Sequence, residues 1–175
     1  RPHVSKGSRA MLAAAFPDME QGPREALVPE FLTIYQEELG RHSVLFDGVA
    51  EMLGALEAAG SVWGIVTNKP EYLARDILPQ LGWSDRCAVL IGGDTLAEKK
   101  PHPLPLLHAA KFFNIPIQRL LLIGDSLSDT VAARAAGCPV FCVPYGYNHG
   151  EPVETLELDA VIQNLSGALP LIKRV

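Results

Sequence analysis

Four short apolar runs constrain this chain more than any other feature: "SVWGIVTN" (61–68), "AVLIGGD" (88–94), "RLLLIGD" (119–125) and "PVFCVPYG" (139–146). Near-continuous hydrophobicity suits strands buried on both faces of a parallel sheet. Between the runs lie helical patterns: "PEYLARDILPQLG" after the first, "PLPLLHAAKFFNI" after the second and "SDTVAARAAG" after the third. Strands alternating with helices predict right-handed βαβ units and a doubly wound α/β parallel sheet. Residues 8–16 and 24–39 place apolar side chains at helical spacing without a strand-like run. They predict a separate helical piece over 1–43, and "GRHSVLFDGVAEML" (40–53) reads as a linker into the helix that feeds the first strand. The α/β core is expected over 44–175.

With 175 residues, 48% of them apolar, the chain suffices for one full-sized core. A net charge of −5 with scattered Lys and Arg gives no basic footprint, so nucleic acid is not an expected partner. Cys87, Cys138 and Cys142 form neither a CxxC pair nor an even disulfide set; they read as small buried hydrophobes in a reducing compartment, here the cytoplasm. No apolar run approaches the ~20 residues of a membrane span, and "RPHVSKGSR" has no secretory apolar region, so no membrane partner is expected. No feature of the sequence assigns an oligomeric state.

Ligands of open α/β sheets bind outside the carboxyl ends of the strands, so the residues ending the runs belong together. The first run ends Thr67-Asn68-Lys69-Pro70. A hydroxyl and free amides at a strand-to-helix turn, with Pro70 suited to the first helical turn, make either an anion cradle or an ordinary turn with Asn68 as cap. After the second run, Lys100 precedes a proline-rich helix start, where it opposes the helix dipole unless an anion compensates it; the alternative is a solvated lysine. His102 lacks a His or Cys at metal-ligand spacing and reads as a surface imidazole.

The third run ends with Asp125, and Asp129 follows four residues later. Such a pair either caps the following helix or holds a cation. Two carboxylates ~4 Å apart repel by about 4 kcal/mol at an effective dielectric near 20, and a hard cation such as Mg²⁺ reverses that penalty. One sheet edge then gathers a hydroxyl, a lysine and two acids, a set suited to phosphoryl transfer.

The order Thr67, Lys100, Asp125/Asp129 resembles the haloacid dehalogenase superfamily. The stretches "VTNKP", "GGDTLAEKKPHPLPLLHAA", "IGDSLSDTVAARAAG" and "VPYGYNHGEPVETLELDAVIQNL" look like those of bacterial phosphoglycolate phosphatases. The resemblance covers roughly residues 44 to 172, and "VSKGSRAMLAAAF" looks like part of that family's small helical cap, so 1–43 would be a partial cap. It implies that Thr67 binds the transferring phosphoryl group with the Asn68 amide. Lys100 would pair with the phosphate and the nucleophile, and Asp125 would ligate Mg²⁺. Asp129 would be an alternative ligand or stand just behind the metal. Lys69, Lys6 and Arg9 would meet a second anionic group of the substrate, against the commoner fate of such residues on the surface.

The family's DxDGT-type strand end, which carries an aspartate nucleophile and an acid/base aspartate, is not present in this sequence. "LFDGV" (45–49) has one acid, lacks the Thr and sits where the family's cap returns to the core, so Asp47 is not assigned as nucleophile. In the family's strand order, the strand carrying that motif lies between those ending at Thr67 and Asp125. The resemblance therefore implies a sheet without its central strand and a nucleophile upstream of Arg1, leaving the chain as given inactive.

The expected function is a Mg²⁺-dependent phosphatase of a small phosphorylated metabolite, foremost 2-phosphoglycolate, acting through an aspartyl-phosphate. A sugar-phosphate phosphatase or a phosphomutase would share the core residues, and a phosphate-binding relic without a nucleophile is the reading from a different class. A hydrolytic dehalogenase needs no metal and gives no reason to pair Asp125 with Asp129. In phosphorylation receivers the acidic residues precede the Thr and Lys; here they follow.

Overall fold

The structure is a computed structural model that describes residues 7–40, 43–148 and 152–172. Helices α1 (Ser8–Ala15), α2 (Gln21–Ala26) and α3 (Val28–Glu37) come first, followed by α4 (Val49–Ala58). From there strands and helices alternate: β1 (Ile65–Val66), α5 (Glu71–Ile77), β2 (Leu90–Ile91), α6 (Leu104–Phe112), β3 (Leu122–Gly124), α7 (Leu127–Ala136) and β4 (Val140–Cys142). A last strand, β5 (Ala160–Val161), follows without a helix longer than a short 3₁₀ turn.

All strand pairs are parallel, but they form two ladders instead of one sheet: β1 pairs β2, and β3-β4-β5 run side by side. The break falls between β1, which leads to Thr67, and β3, which leads to Asp125. That is the position the family resemblance gives to a further strand. Two departures from the expected strands are clear. The ladders are only two or three residues long, far shorter than the apolar runs. In "LDAVIQNL" two residues pair with β4 through Phe141↔Ala160 and Cys142↔Val161, a fifth strand the apolar runs did not single out.

The runs are continuous in apolar residues because successive side chains enter cores on opposite faces. Leu122, Val140 and Cys142 pack with Leu106 of α6 and Ala132 and Ala133 of α7. Ile123, Phe141 and Val143 pack on the other face with Met52 of α4 and Ile162. Helices therefore cover both faces of the β3-β4-β5 sheet, the doubly wound arrangement. Gly137 ends α7 at φ 75°, a left-handed cap that glycine adopts without a side-chain penalty.

Helix α4 carries Gly54 on its exposed side, where an added Cβ would meet nothing within 4 Å. Gly54→Ala is expected to stabilise the protein by about 0.5–1 kcal/mol, since glycine costs that much inside a helix. Thermal unfolding checks this, and a lowered melting temperature would contradict the free space assigned to that face.

Candidate active site

The turn after β1 uses Thr67 as its own brace: the Thr67 Oγ1 accepts the Lys69 amide at 3.1 Å. An oxygen that accepts from that amide keeps its O–H for another acceptor. The free amides expected here are partly committed. Besides Lys69, the Glu71 amide donates to Asp94 Oδ1 at 2.7 Å, and Pro70 stands just before α5 instead of within its first turn. Asn68 donates its side-chain amide to the Lys100 carbonyl at 2.8 Å, which ties this turn to the segment before α6. Its Oδ1 is buried without a hydrogen-bond partner among the described residues.

Lys100 is not a solvated lysine. Only 9% exposed, it donates to the Val66 carbonyl at 2.7 Å and to Asp129 Oδ1 at 2.6 Å. Its ammonium thus bridges β1 and the start of α7, across the break between the two ladders. An ammonium has three donors, so one N–H remains for a further acceptor.

Asp129 is engaged on both oxygens, an arrangement that suits a place just behind a metal, one of the two positions the resemblance implies for it. Oδ1 faces Lys100, while Oδ2 accepts from the Asp125 amide (3.2 Å), the Ser126 amide (3.1 Å) and Ser126 Oγ (2.7 Å). With Ser126 it forms a capping box at the start of α7. Burial alone would raise the Asp129 carboxyl; the charge and hydrogen bond of Lys100, with the Ser126 and Asp125 donors, outweigh it and hold the group below the ordinary aspartate value. Gly124 permits this approach, because a Cβ there would lie 2.5 Å from the Asp129 Cβ and Cγ.

Asp125 has the opposite balance. Burial pushes its carboxyl above the ordinary value and the Asp129 charge adds to the rise, against the Tyr147 amide and Lys100. Oδ2 accepts the Tyr147 amide at 2.9 Å, and no described residue donates to Oδ1. Mg²⁺ is commonly held by one or two carboxylates with phosphate oxygens and water completing its shell, so this open, undercompensated carboxylate fits it.

Thr67, Asn68, Lys69, Lys100, Asp125 and Asp129 all line one cleft of ≈ 240 Å³. Met11 of α1 and Phe31, Leu32 and Tyr35 of α3 supply its opposite wall. Lys69 reaches that wall, its Nζ 2.7 Å from the Tyr35 hydroxyl and 4.9 Å from the ring centroid. Arg9 does not: it turns outward and pairs with Glu25 of α2 at 2.8 Å, a correction explained by a carboxylate on the neighbouring helix. Lys6 lies outside the described residues. Asp47 is exposed in the turn before α4 and does not line the cleft. His102 is also exposed, and its Nδ1 accepts the Leu104 amide at the start of α6. Tyr35 was not singled out in the sequence, where nothing in "FLTIYQEE" distinguishes a cleft-facing tyrosine from an ordinary helix position.

A family model described as haloacid dehalogenase-like hydrolase matches residues 4–143. The chain belongs to the haloacid dehalogenase-like hydrolases. A phosphoglycolate phosphatase of Xanthomonas campestris pv. campestris is 62% identical over 151 residues, covering 86% of this chain and 68% of the relative. An N-acetylmuramic acid 6-phosphate phosphatase of Pseudomonas aeruginosa is 45% identical over 152 residues, covering 86% of this chain and 67% of that protein. Among solved structures, a predicted phosphoglycolate phosphatase of Haemophilus somnus superposes with a TM-score of 0.90 at 29% identity, over 97% of this chain and 79% of the other. No described helix of this haloacid dehalogenase-like chain is long and apolar enough to cross a membrane.

Proposed function

We propose that this protein is a Mg²⁺-dependent phosphatase of a small phosphate monoester, with 2-phosphoglycolate, converted to glycolate and phosphate, as the first choice of substrate. One observation carries the reading: the buried Lys100 ammonium keeps a donor beyond Val66 and Asp129, and it lines the same cleft as the Thr67 hydroxyl and Asp125. A phosphoryl group there would accept from Lys100 Nζ, the Thr67 hydroxyl and the Asn68 amide, donors whose positions other bonds already fix. Asp125 would hold Mg²⁺, which when bound neutralises phosphoryl charge. Asp129 pairs with Lys100 and aims its ammonium. Lys69 is the cation in place for a second anionic group of the substrate. Helices α1–α3 serve as a cap over the α/β core, supported by the residues of α1 and α3 in the cleft wall.

The attacking carboxylate belongs to sequence beyond these residues. The reading is supported by the cleft lining, where Asp129 is engaged on both oxygens, Asp125 is the carboxylate proposed for the metal, and Asp47 lies outside. An aspartyl-phosphate would form on that carboxylate and be hydrolysed by water. The three thiols are free, and burial pushes those of Cys138 and Cys142 up to about 11 and about 12, which supports inert thiols in a reducing cytoplasm. A sugar phosphate is the second reading, favoured by the relative named for N-acetylmuramic acid 6-phosphate.

Phosphate release from 2-phosphoglycolate and from hexose phosphates, with and without Mg²⁺, tests both readings in a chain extended upstream through an in-frame DxDGT-type strand. In that protein Asp125→Asn is expected to lower turnover by about 10²-fold or more, as for loss of a major electrostatic group. Asp47→Asn should leave it within about twofold, as expected of an exposed charge that does not line the cleft. Equal losses would make Asp47 part of the chemistry. Native-like turnover by the chain beginning at Arg1 would place the attacking group among the present acids.

A further inference from the structure

The wall contributed by α3 contains a polar element within an otherwise apolar surface. Tyr35 stacks on Phe31, with ring centroids 6.1 Å apart and planes 12° apart, and its hydroxyl meets Lys69 Nζ at 2.7 Å. An ammonium only donates, so the Tyr35 oxygen accepts and the phenol proton points away from Lys69. Both residues line the cleft that holds Thr67 and Lys100. The phenol O–H and the remaining ammonium N–H groups are thus two adjacent donors on one side of the cleft, and hydrogen bonds to an ionised acceptor are the strong ones.

We infer that Tyr35 and Lys69 together form a carboxylate subsite, with Tyr35 as the specificity-determining residue that favours phosphorylated hydroxy acids over uncharged phosphate esters. The inference rests on the phosphatase reading and adds to it a residue of α3. Tyr35 holds the ammonium in place through its oxygen and ring face, and offers its own proton to the same carboxylate. Among the described residues, the apolar neighbours Met11, Phe31 and Leu32 add no other charge to that side of the cleft. The pair lines the same cleft as Thr67 and Lys100, where the phosphate would bind.

Calorimetric titration of the 175-residue chain in Mg²⁺ tests this with three probes: 2-phosphoglycolate, ethyl phosphate and inorganic phosphate. The unmodified chain is expected to bind 2-phosphoglycolate about tenfold or more tightly than ethyl phosphate, the scale of one hydrogen bond to a charged group. Tyr35→Phe, which keeps the ring and its stacking, should remove most of that preference and leave ethyl phosphate unchanged; Lys69→Met should remove it entirely. Equal weakening of both esters, or no weakening of either, would overturn the subsite. If Thr67→Ala leaves inorganic phosphate binding intact, or if no probe binds, the phosphatase reading itself fails, and the subsite with it.

Discussion

Lys100→Met is expected to destabilise the protein by about 3–5 kcal/mol, the cost of stranding one partner of a buried ion pair. For a chain of this size that lowers the melting temperature by roughly 6–20 °C. The side chains of Lys100 and Asp129 are 10% and 5% exposed, so solvent screens the pair little. Methionine fills much of the lysine stem's volume, which assigns the loss to charge more than to packing. The Val66 carbonyl also loses its Lys100 donor at the edge of β1.

The pH dependence of that loss has a definite sign. In the unmodified protein Asp129 lies below the ordinary aspartate value. Its contribution is therefore present above about pH 3.9 and is lost as pH falls through the lower folded value. Without Lys100, burial dominates and raises the carboxyl, so protonation relieves the variant as pH falls from neutrality. The difference in melting temperature between the two proteins should narrow on acidification from pH 7 toward about pH 4. A difference that widens over this range would mean that Lys100 does not set the Asp129 charge. Replacing Asp129 as well should recover only part of the loss, because its carboxylate also caps α7 through the Asp125 and Ser126 amides.

These partners mark where sequence reading stops. The alternation of apolar runs with helical patterns was enough to specify parallel strands covered on both faces, since that arrangement alone buries residues such as Ile123 and Leu122 in opposite directions. It did not specify β5, whose two paired residues are held by the ladder to β4 more than by a pattern of their own. Spacing allowed Asp129 to be either a cap or a ligand. The choice depends on Lys100, 29 residues earlier in the chain, occupying one oxygen while the capping box takes the other. Arg9 could not be assigned from its own neighbourhood because Glu25 sits on a different helix. Tyr35 meets Lys69 across 34 positions, a separation at which no local pattern signals contact.

On the phosphatase reading proposed above, Gly146→Ala is expected to lower turnover of the chain extended through a DxDGT-type strand by about 10²-fold, the scale of a misplacement near 1 Å at a reacting centre. A Cβ at this position would lie 2.1 Å from the Asp125 Cβ and 2.2 Å from its Oδ2. The first of these atoms is fixed to the backbone, so rotation of the carboxylate alone cannot make room. Either the loop after β4 retreats, or Asp125 does; in both cases the bond from the Tyr147 amide to Oδ2 is lost. The loop cannot retreat freely, because Asn148, 7% exposed, accepts the Leu127 amide at 2.9 Å and ties it to the start of α7. On the proposed reading of Asp125 as the metal-binding carboxylate, the added methyl should displace it, raise the Mg²⁺ concentration required and lower turnover. Overpacking should cost about 1–3 kcal/mol in stability, too little to unfold a typical domain. The Mg²⁺ concentration giving half-maximal turnover is the decisive measurement, with Gly54→Ala as the control for a methyl added in open space. An unchanged Mg²⁺ requirement together with full turnover would show that Asp125 needs neither this contact nor the Tyr147 amide to act.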